Sequence, residues 1–197
     1  MPEARIDLLR HGEAAGGARF RGRSDDPLTP RGEAQVAAAV ADLEGWGGPP
    51  WAGVVTSPLR RCRRPAEALA RARGLPLTVD GDLREMDFGA WEGRCAEEIQ
   101  ATDGARLAAF WDDPWQHPPP GGETLAAFAA RVAAAWERLL ARDAPLLVFT
   151  HGGVLRLLLA HVLDLPRAAL WRWRLDPAAR VRIRPPRTLV RFEGLAP

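Results

Sequence analysis

The chain alternates short apolar runs with amphipathic helical patterns, and no other feature restricts its fold so tightly. "ARIDLL" (4–9), "AGVVTS" (52–57), "PLTV" (76–79) and "PLLVFT" (145–150) read as short strands. Apolar runs of this length suit strands covered on both faces. Between them, "TPRGEAQVAAAVADLEG" (29–45) predicts a helix with threonine at its N-cap, proline in its first turn and glycine at its end. Further helices are expected from Pro58 to about Arg73, over 121–143 and over 153–163, and "ARVRI" and "TLVRF", split by "RPPR", predict a C-terminal hairpin. Strands alternating with helices specify an α/β fold, here a three-layer α/β/α sandwich with a mainly parallel central sheet. With 197 residues, 47% of them hydrophobic, the chain can bury one sizeable core, so a single domain over 1–197 is expected. The stretch from about Met86 to Gly121 breaks the alternation. Rich in tryptophan, proline and acidic residues and with only short helical stretches, it reads as a lid-like excursion over one end of the sheet.

Composition excludes several classes. No stretch of 18 apolar residues suggests a membrane span, and no basic segment followed by an apolar run suggests a secretory signal, so a cytoplasmic location is expected. Cys62 and Cys95 are the only cysteines and stand in no metal-ligand spacing, which argues against a disulfide framework or a structural metal site. All 27 basic residues are arginine, yet the net charge is only +2, so the clusters "RRCRR" (60–64) and 172–187 read as solvated faces rather than as a nucleic-acid surface.

The chemistry sits where strands end. "IDLL" runs into Arg10-His11-Gly12, "VVTS" leads through Ser57-Pro58 to Arg60 on the first helical turn, and "LLVFT" ends in His151-Gly152-Gly153 before another helix. In an open α/β sheet ligands bind just beyond the carboxyl ends of the strands, so two histidines and two arginines are expected in one crevice. Helix N-termini and glycine turns add backbone N–H groups that suit an anion such as phosphate. A neutral imidazole can attack phosphorus in line while arginine forks hold the oxygens over which charge spreads. A second histidine, protonated by the bound dianion, could donate further hydrogen bonds. "DLREMDFGAWEG" (82–93) supplies Glu85 as proton donor to the leaving alcohol and then as base for water. Singly, each residue has a plainer reading: His151 as a buried histidine on a backbone carbonyl, Arg60 as a solvated helix residue, Glu85 as a partner of Arg84. Their joint placement after separate strands favours a site.

Six stretches, "LLRHGEA", "FRGRSDDPLTPRGEAQ", "VVTSPLRRCRRPAEALA", "LREMDFGAWEG", "PPPGGETLAAFAARV" and "VFTHGGVLRLLLA", resemble the histidine phosphatase superfamily, the phosphoglycerate mutase-like fold. That resemblance implies a metal-independent enzyme with no cofactor, acting on a small phosphorylated metabolite. It implies His11 as the phosphate-accepting nucleophile, Arg10, Arg60 and His151 in the phosphate pocket, Glu85 as proton donor, and contacts to phosphate or substrate from Gly12, Arg21, Gly22 and Gly152. The family often carries asparagine six residues after the nucleophile, where this chain has Gly17; either its backbone N–H replaces that contact or phosphate is held by one bond fewer. Within the superfamily, "FWDDPWQHPPPGGE" (110–123) and "LWRWRLD" (170–176) look most like alpha-ribazole phosphatases, and Trp115 is expected to stack on a flat substrate ring. Three readings stay open: that phosphatase, a phosphatase or mutase of phosphoglycerate or another small ester, and a non-catalytic binder of phosphorylated ligands or nucleic acid. Oligomeric state stays open too, with a homodimer as one alternative.

Overall fold

The computed structural model describes residues 4–166, 174–184 and 189–196. In chain order its elements are β1 (Arg5–Arg10), α1 (Pro30–Gly45), β2 (Gly53–Thr56), α2 (Arg60–Arg73), β3 (Leu77–Val79), α3 (Ala96–Asp112), α4 (Leu125–Leu140), β4 (Pro145–Thr150), α5 (Gly152–Val162), β5 (Arg174–Arg184) and β6 (Leu189–Ala196). The strands form one sheet in the order β3-β2-β4-β1-β5-β6. The first four strands run parallel, with Val148 of β4 opposite both Leu8 of β1 and Val55 of β2, while β5 and β6 are antiparallel.

Side chains alternate across a strand, so each central strand feeds two cores. Ile6, Leu8, Val55, Leu146 and Val148 cluster with Phe128 and Val132 of α4 and Leu155 and Leu158 of α5. Leu9, Val54, Leu147 and Phe149 cluster with Val36, Val40 and Leu43 of α1 and Cys62 and Ala66 of α2. The sheet is therefore sandwiched, as the alternation predicts. Full burial of each such side chain contributes about 1.5–3 kcal/mol.

Local signals explain the boundaries. Thr29 caps α1 by accepting the Gly32 N–H at 2.9 Å, and Thr124 caps α4 by accepting that of Ala127 at 3.2 Å, which places the start of α4 four residues later than the sequence pattern suggests. The 86–121 stretch holds more helix than its sequence suggests. It carries the 17-residue α3, broken at Asp103 (φ −146°, ψ 36°) and burying only Ile99, Leu107 and Phe110. The break and the sparse apolar positions hide its period. The segment "LWRW" (170–173) and the "PPR" (185–187) of the hairpin turn lie outside the described residues. Among the described residues no helix is long and apolar enough to cross a membrane.

Beyond β1 the backbone passes very close to the start of α1. A Cβ built on Gly12 would stand 2.1 Å from the Gly32 carbonyl oxygen, and one built on Gly32 would stand 2.1 Å from that of Glu13. Only a pair of glycines allows this approach. The Thr29 N–H also donates to the Glu13 carbonyl at 2.9 Å, so the loop carrying His11 is fastened to the helix cap.

Candidate active site

Strands β2, β4 and β1 are neighbours, and their carboxyl ends bring Ser57, His151 and His11 together. The ladder continues one residue past each flanking strand: His11 N–H donates to the Thr150 carbonyl and Ser57 N–H to that of Phe149, both at 3.0 Å. The two histidine rings lie 5.3 Å apart, edge to face at 63°. A cavity of about 470 Å³ opens here, lined by Arg10, His11, Arg21 and Glu85 together with Phe20, Phe88, Phe110 and Trp111.

His11 Nδ1 lies 2.7 Å from the Gly12 carbonyl oxygen. A carbonyl only accepts, so Nδ1 carries the ring proton and Nε2 keeps its lone pair. Burial, and after it the charges of Arg10 and Arg61, push the His11 pKa well below the usual histidine value, against the bond to Gly12. A neutral ring with a bare Nε2 has a lone pair available for attack, and the two guanidinium groups beside it suit an anion. His151 is fully buried, and its pKa is likewise driven well down by burial first, then by Arg61, His11 and Arg10. Without a bound anion, burial and the neighbouring guanidinium charges therefore favour the neutral form of both rings.

The arginine of α2 that reaches this pair is Arg61, not Arg60. Arg61 is completely buried; its Nε donates to His151 Nδ1 at 3.3 Å, and its Nη atoms donate to the carbonyls of Ser24 (2.6 Å), Arg21 (3.0 Å) and Gly22 (3.2 Å). Arg60 is exposed, and among the described residues the one hydrogen bond it donates is from the backbone N–H to Asp25. The reason is helical phase. Cys62, Ala66 and Ala70 mark the face of α2 against the sheet; Arg61 borders that face, whereas Arg60 is turned about 200° from Cys62. The apolar stripe already held this information.

Arg10 donates through Nη1 to the Leu175 carbonyl, and its buried Nε has no hydrogen-bond partner among the described residues. Glu85 sits at the start of α5, accepting the Gly153 N–H at 2.9 Å and the Met86 N–H at 3.0 Å. Its segment is held by Arg131 of α4, which donates to the carbonyls of Asp82, Arg84 and Glu85 at 2.7–2.9 Å and pairs with Glu123 at 2.7 Å. Gly152 opens α5, and a Cβ there would stand 3.3 Å from Arg10 Nε.

The remaining expected residues divide. Arg21 lines the cavity, with Nε on Asp26 at 2.6 Å and Nη2 on the Ala15 carbonyl at 2.6 Å. Gly17 is exposed and bonds through its carbonyl, which accepts from Arg21 at 3.2 Å. Gly22 lies against the 86–93 segment: its N–H donates to Glu92 at 2.9 Å, and a Cβ would stand 1.8 Å from the Met86 carbonyl oxygen. Glu92, which sequence reasoning missed, also accepts from the backbone of Arg23, Ser24 and Phe88 and from the Ser24 hydroxyl. Burial raises its pKa, but these bonds outweigh burial and hold it below the usual carboxylate value. Trp115 does not line the cavity; it lies past the end of α3 and packs partly buried against the core. Trp111, on the last turn of α3 and 51% exposed, lines it instead, 5.9 Å from the Phe20 ring and 5.1 Å from that of Phe110.

Similar proteins share this frame. The chain is 38% identical over 179 residues to a bifunctional protein of Mycobacterium tuberculosis, covering 89% of this chain and 48% of that one, so it spans about half the length of the first curated relatives it matches. It is 34% identical over 181 residues to the adenosylcobalamin/alpha-ribazole phosphatase of Escherichia coli, covering 87% and 85%. The solved structure of a mycobacterial glucosyl-3-phosphoglycerate phosphatase with VO3 superposes with a TM-score of 0.80 at 31% identity, covering 97% of this chain and 98% of that one. The pattern of the histidine phosphatase superfamily (branch 1) matches residues 6–195, and the chain belongs to that family.

Proposed function

We propose that the chain is a phosphomonoesterase that works through a phosphohistidine on His11. One observation carries this reading: the Nδ1–H of His11 is bound to the Gly12 carbonyl, leaving a bare Nε2 beside Arg10 and Arg61. In the first step the Nε2 lone pair forms a bond to phosphorus as the ester P–O bond breaks, and Glu85 gives its proton to the departing oxygen. In the second, Glu85 takes a proton from water, the water oxygen bonds to phosphorus, the P–N bond breaks and orthophosphate leaves. The guanidinium groups of Arg10 and Arg61 and the His151 ring stabilise the oxygens between the two steps.

Hydrolysis is favoured over mutase action because the arginines between Glu85 and His151 are committed elsewhere. Arg94 binds Thr102 and the Glu98 carbonyl, Arg106 pairs with Asp103, Arg131 clamps the Glu85 segment, Arg138 pairs with Asp80 and Asp82, and Arg142 binds Thr78. The proposed substrate is alpha-ribazole 5′-phosphate, whose flat ring suits the wall of Phe88, Phe110 and Trp111. Phosphoglycerate-type esters are the second reading, since Arg19 and Arg156 line the same cavity and suit a further anionic group. Phosphate release from alpha-ribazole 5′-phosphate, phosphoglycerates and sugar phosphates separates the two. Trp111→Ala is expected to raise KM for the ribazole ester by roughly 5- to 150-fold, the worth of one stacked ring, while turnover of glycerol phosphate stays nearly unchanged. Equal losses on both esters would reject the stacking role.

A further inference from the structure

His151 has contacts on both ring nitrogens. Arg61 Nε lies 3.3 Å from Nδ1, and the Ser57 hydroxyl oxygen lies 2.7 Å from Nε2. An arginine has no acceptor, so Nδ1 must accept. If the Ser57 hydroxyl donated to Nε2 as well, the ring would carry no proton at all, an imidazolate. The ring proton is therefore on Nε2, and Ser57 accepts it. Ser57 is itself completely buried, and its position is fixed from both sides: its N–H donates to the Phe149 carbonyl at 3.0 Å, and its hydroxyl accepts the Leu59 N–H at 3.4 Å. Beneath the ring, the buried Cys62 sulfur stands 3.6 Å from Nε2 and donates to the Thr150 carbonyl at 3.2 Å.

We propose that Ser57 is a positioning residue which, opposite Arg61, locks His151 as the neutral Nε2–H tautomer and aims that single N–H. The two histidines then form a complementary pair. His11 is protonated at Nδ1 and bare at Nε2, so it can attack; His151 is bare at Nδ1 and protonated at Nε2, with that N–H donated to Ser57. Each tautomer is imposed by a group that can act in only one way, a carbonyl for His11 and a guanidinium for His151. Ser57 supplies what Arg61 cannot, an acceptor that keeps the N–H from rotating out of line.

The kinetic part of this inference rests on the proposed phosphatase reading; the tautomer part does not. With 15N-histidine labelling, and His151 assigned through a His151→Asn variant, the wild-type ring at pH 7 is expected to show one protonated nitrogen, Nε2. A signal from Nδ1–H, or from a doubly protonated ring, overturns the proposal even if Ser57 variants fail to fold. Ser57→Ala leaves Arg61 on Nδ1, so it is expected to keep the Nε2–H tautomer but to shift and broaden the Nε2–H signal, and to lower kcat about tenfold with KM within about twofold, as for one lost hydrogen bond. Ser57→Thr, which restores the acceptor, is expected to recover both readouts. A fall in kcat with the 15N signature unaltered would assign Ser57 a merely structural role and also overturn the proposal. Absence of hydrolysis on every ester tried would reject the phosphatase reading while the 15N result stands by itself.

Discussion

Two buried arginine clusters lie on this sheet, and they are built to opposite ends. In the first, Asp7 of β1 is completely buried and accepts from Arg182 Nε (2.7 Å) and Nη2 (3.0 Å) and from Trp51 Nε1 (2.7 Å), with Arg5 Nε 3.2 Å away. Arg182 spends its other donors on the carbonyls of Gly47 and Leu43, both at 2.7 Å. In the second, Arg61 and Arg10 are tied to carbonyl oxygens and to His151, and among the described residues neither has a carboxylate within ion-pair distance. A carbonyl satisfies an N–H without cancelling charge. The first cluster is closed on itself; the second keeps its positive potential for something that comes from outside.

The sharpest test of this division removes His11, the proposed nucleophile. His11→Ala is expected to lower turnover by about 10⁴-fold or more while orthophosphate still binds, because the covalent step is lost and the guanidinium groups remain. Labelling quenched in alkaline detergent, which preserves the P–N bond, should show no phosphohistidine, and substantial residual turnover would break the mechanism. Next in size, Asp7→Asn strands two buried cations and is expected to cost about 3–5 kcal/mol of unfolding free energy by urea titration, with kcat/KM of the folded protein unchanged. A loss of activity without loss of stability would show that the two clusters are not separate.

Arg61→Ala is expected to lower kcat/KM by roughly 10²–10³-fold, as for a lost oxyanion donor, whereas Arg60→Ala stays within about twofold. The reverse ranking would restore the reading based on distance from the strand end. The smallest effect is in pH. Both His11 and His151 are held neutral in the folded chain with pKa values well below 6.5, so the unfolded chain binds protons first as the pH falls. Unfolding free energy is therefore expected to decline below pH 6.5, by up to about 1.4 kcal/mol per pH unit for each ring, and to level once the folded rings also charge. Urea midpoints at pH 7 and 5.5 that do not differ would contradict the burial of these rings.

Much of this was legible in the chain. Apolar runs ending in Arg10-His11 and in His151-Gly152 located the sheet and the edge where these residues meet, because a covered strand must be apolar and polar residues fall where it ends. What stayed hidden depends on angle or on distant partners. The choice between Arg60 and Arg61 is a matter of 100° of helix rotation. Trp111 faces the cavity because α3 continues to Asp112, past a break that its sequence conceals. Asp7 finds its partner Arg182 175 residues later, a pairing that nothing local to β1 shows. Arg131 and Glu92 act through backbone carbonyls and N–H groups, which leave no mark in a one-letter sequence.

The reciprocal glycine contact bears on how such a site can change by descent or by design. Residue 32 touches neither ester nor nucleophile, yet any side chain there pushes the Glu13 backbone, and with it the loop that starts at His11. Position 12 carries the same veto in the other direction. The two sites are therefore epistatic without sharing a chemical role: neither can be altered alone, and altering both would still require helix α1 to recede. A combinatorial library confined to cavity-lining positions would miss this dependence, and a graft of the Arg-His-Gly triplet onto another α/β scaffold would fail unless the recipient helix also began with a bare backbone at the matching turn.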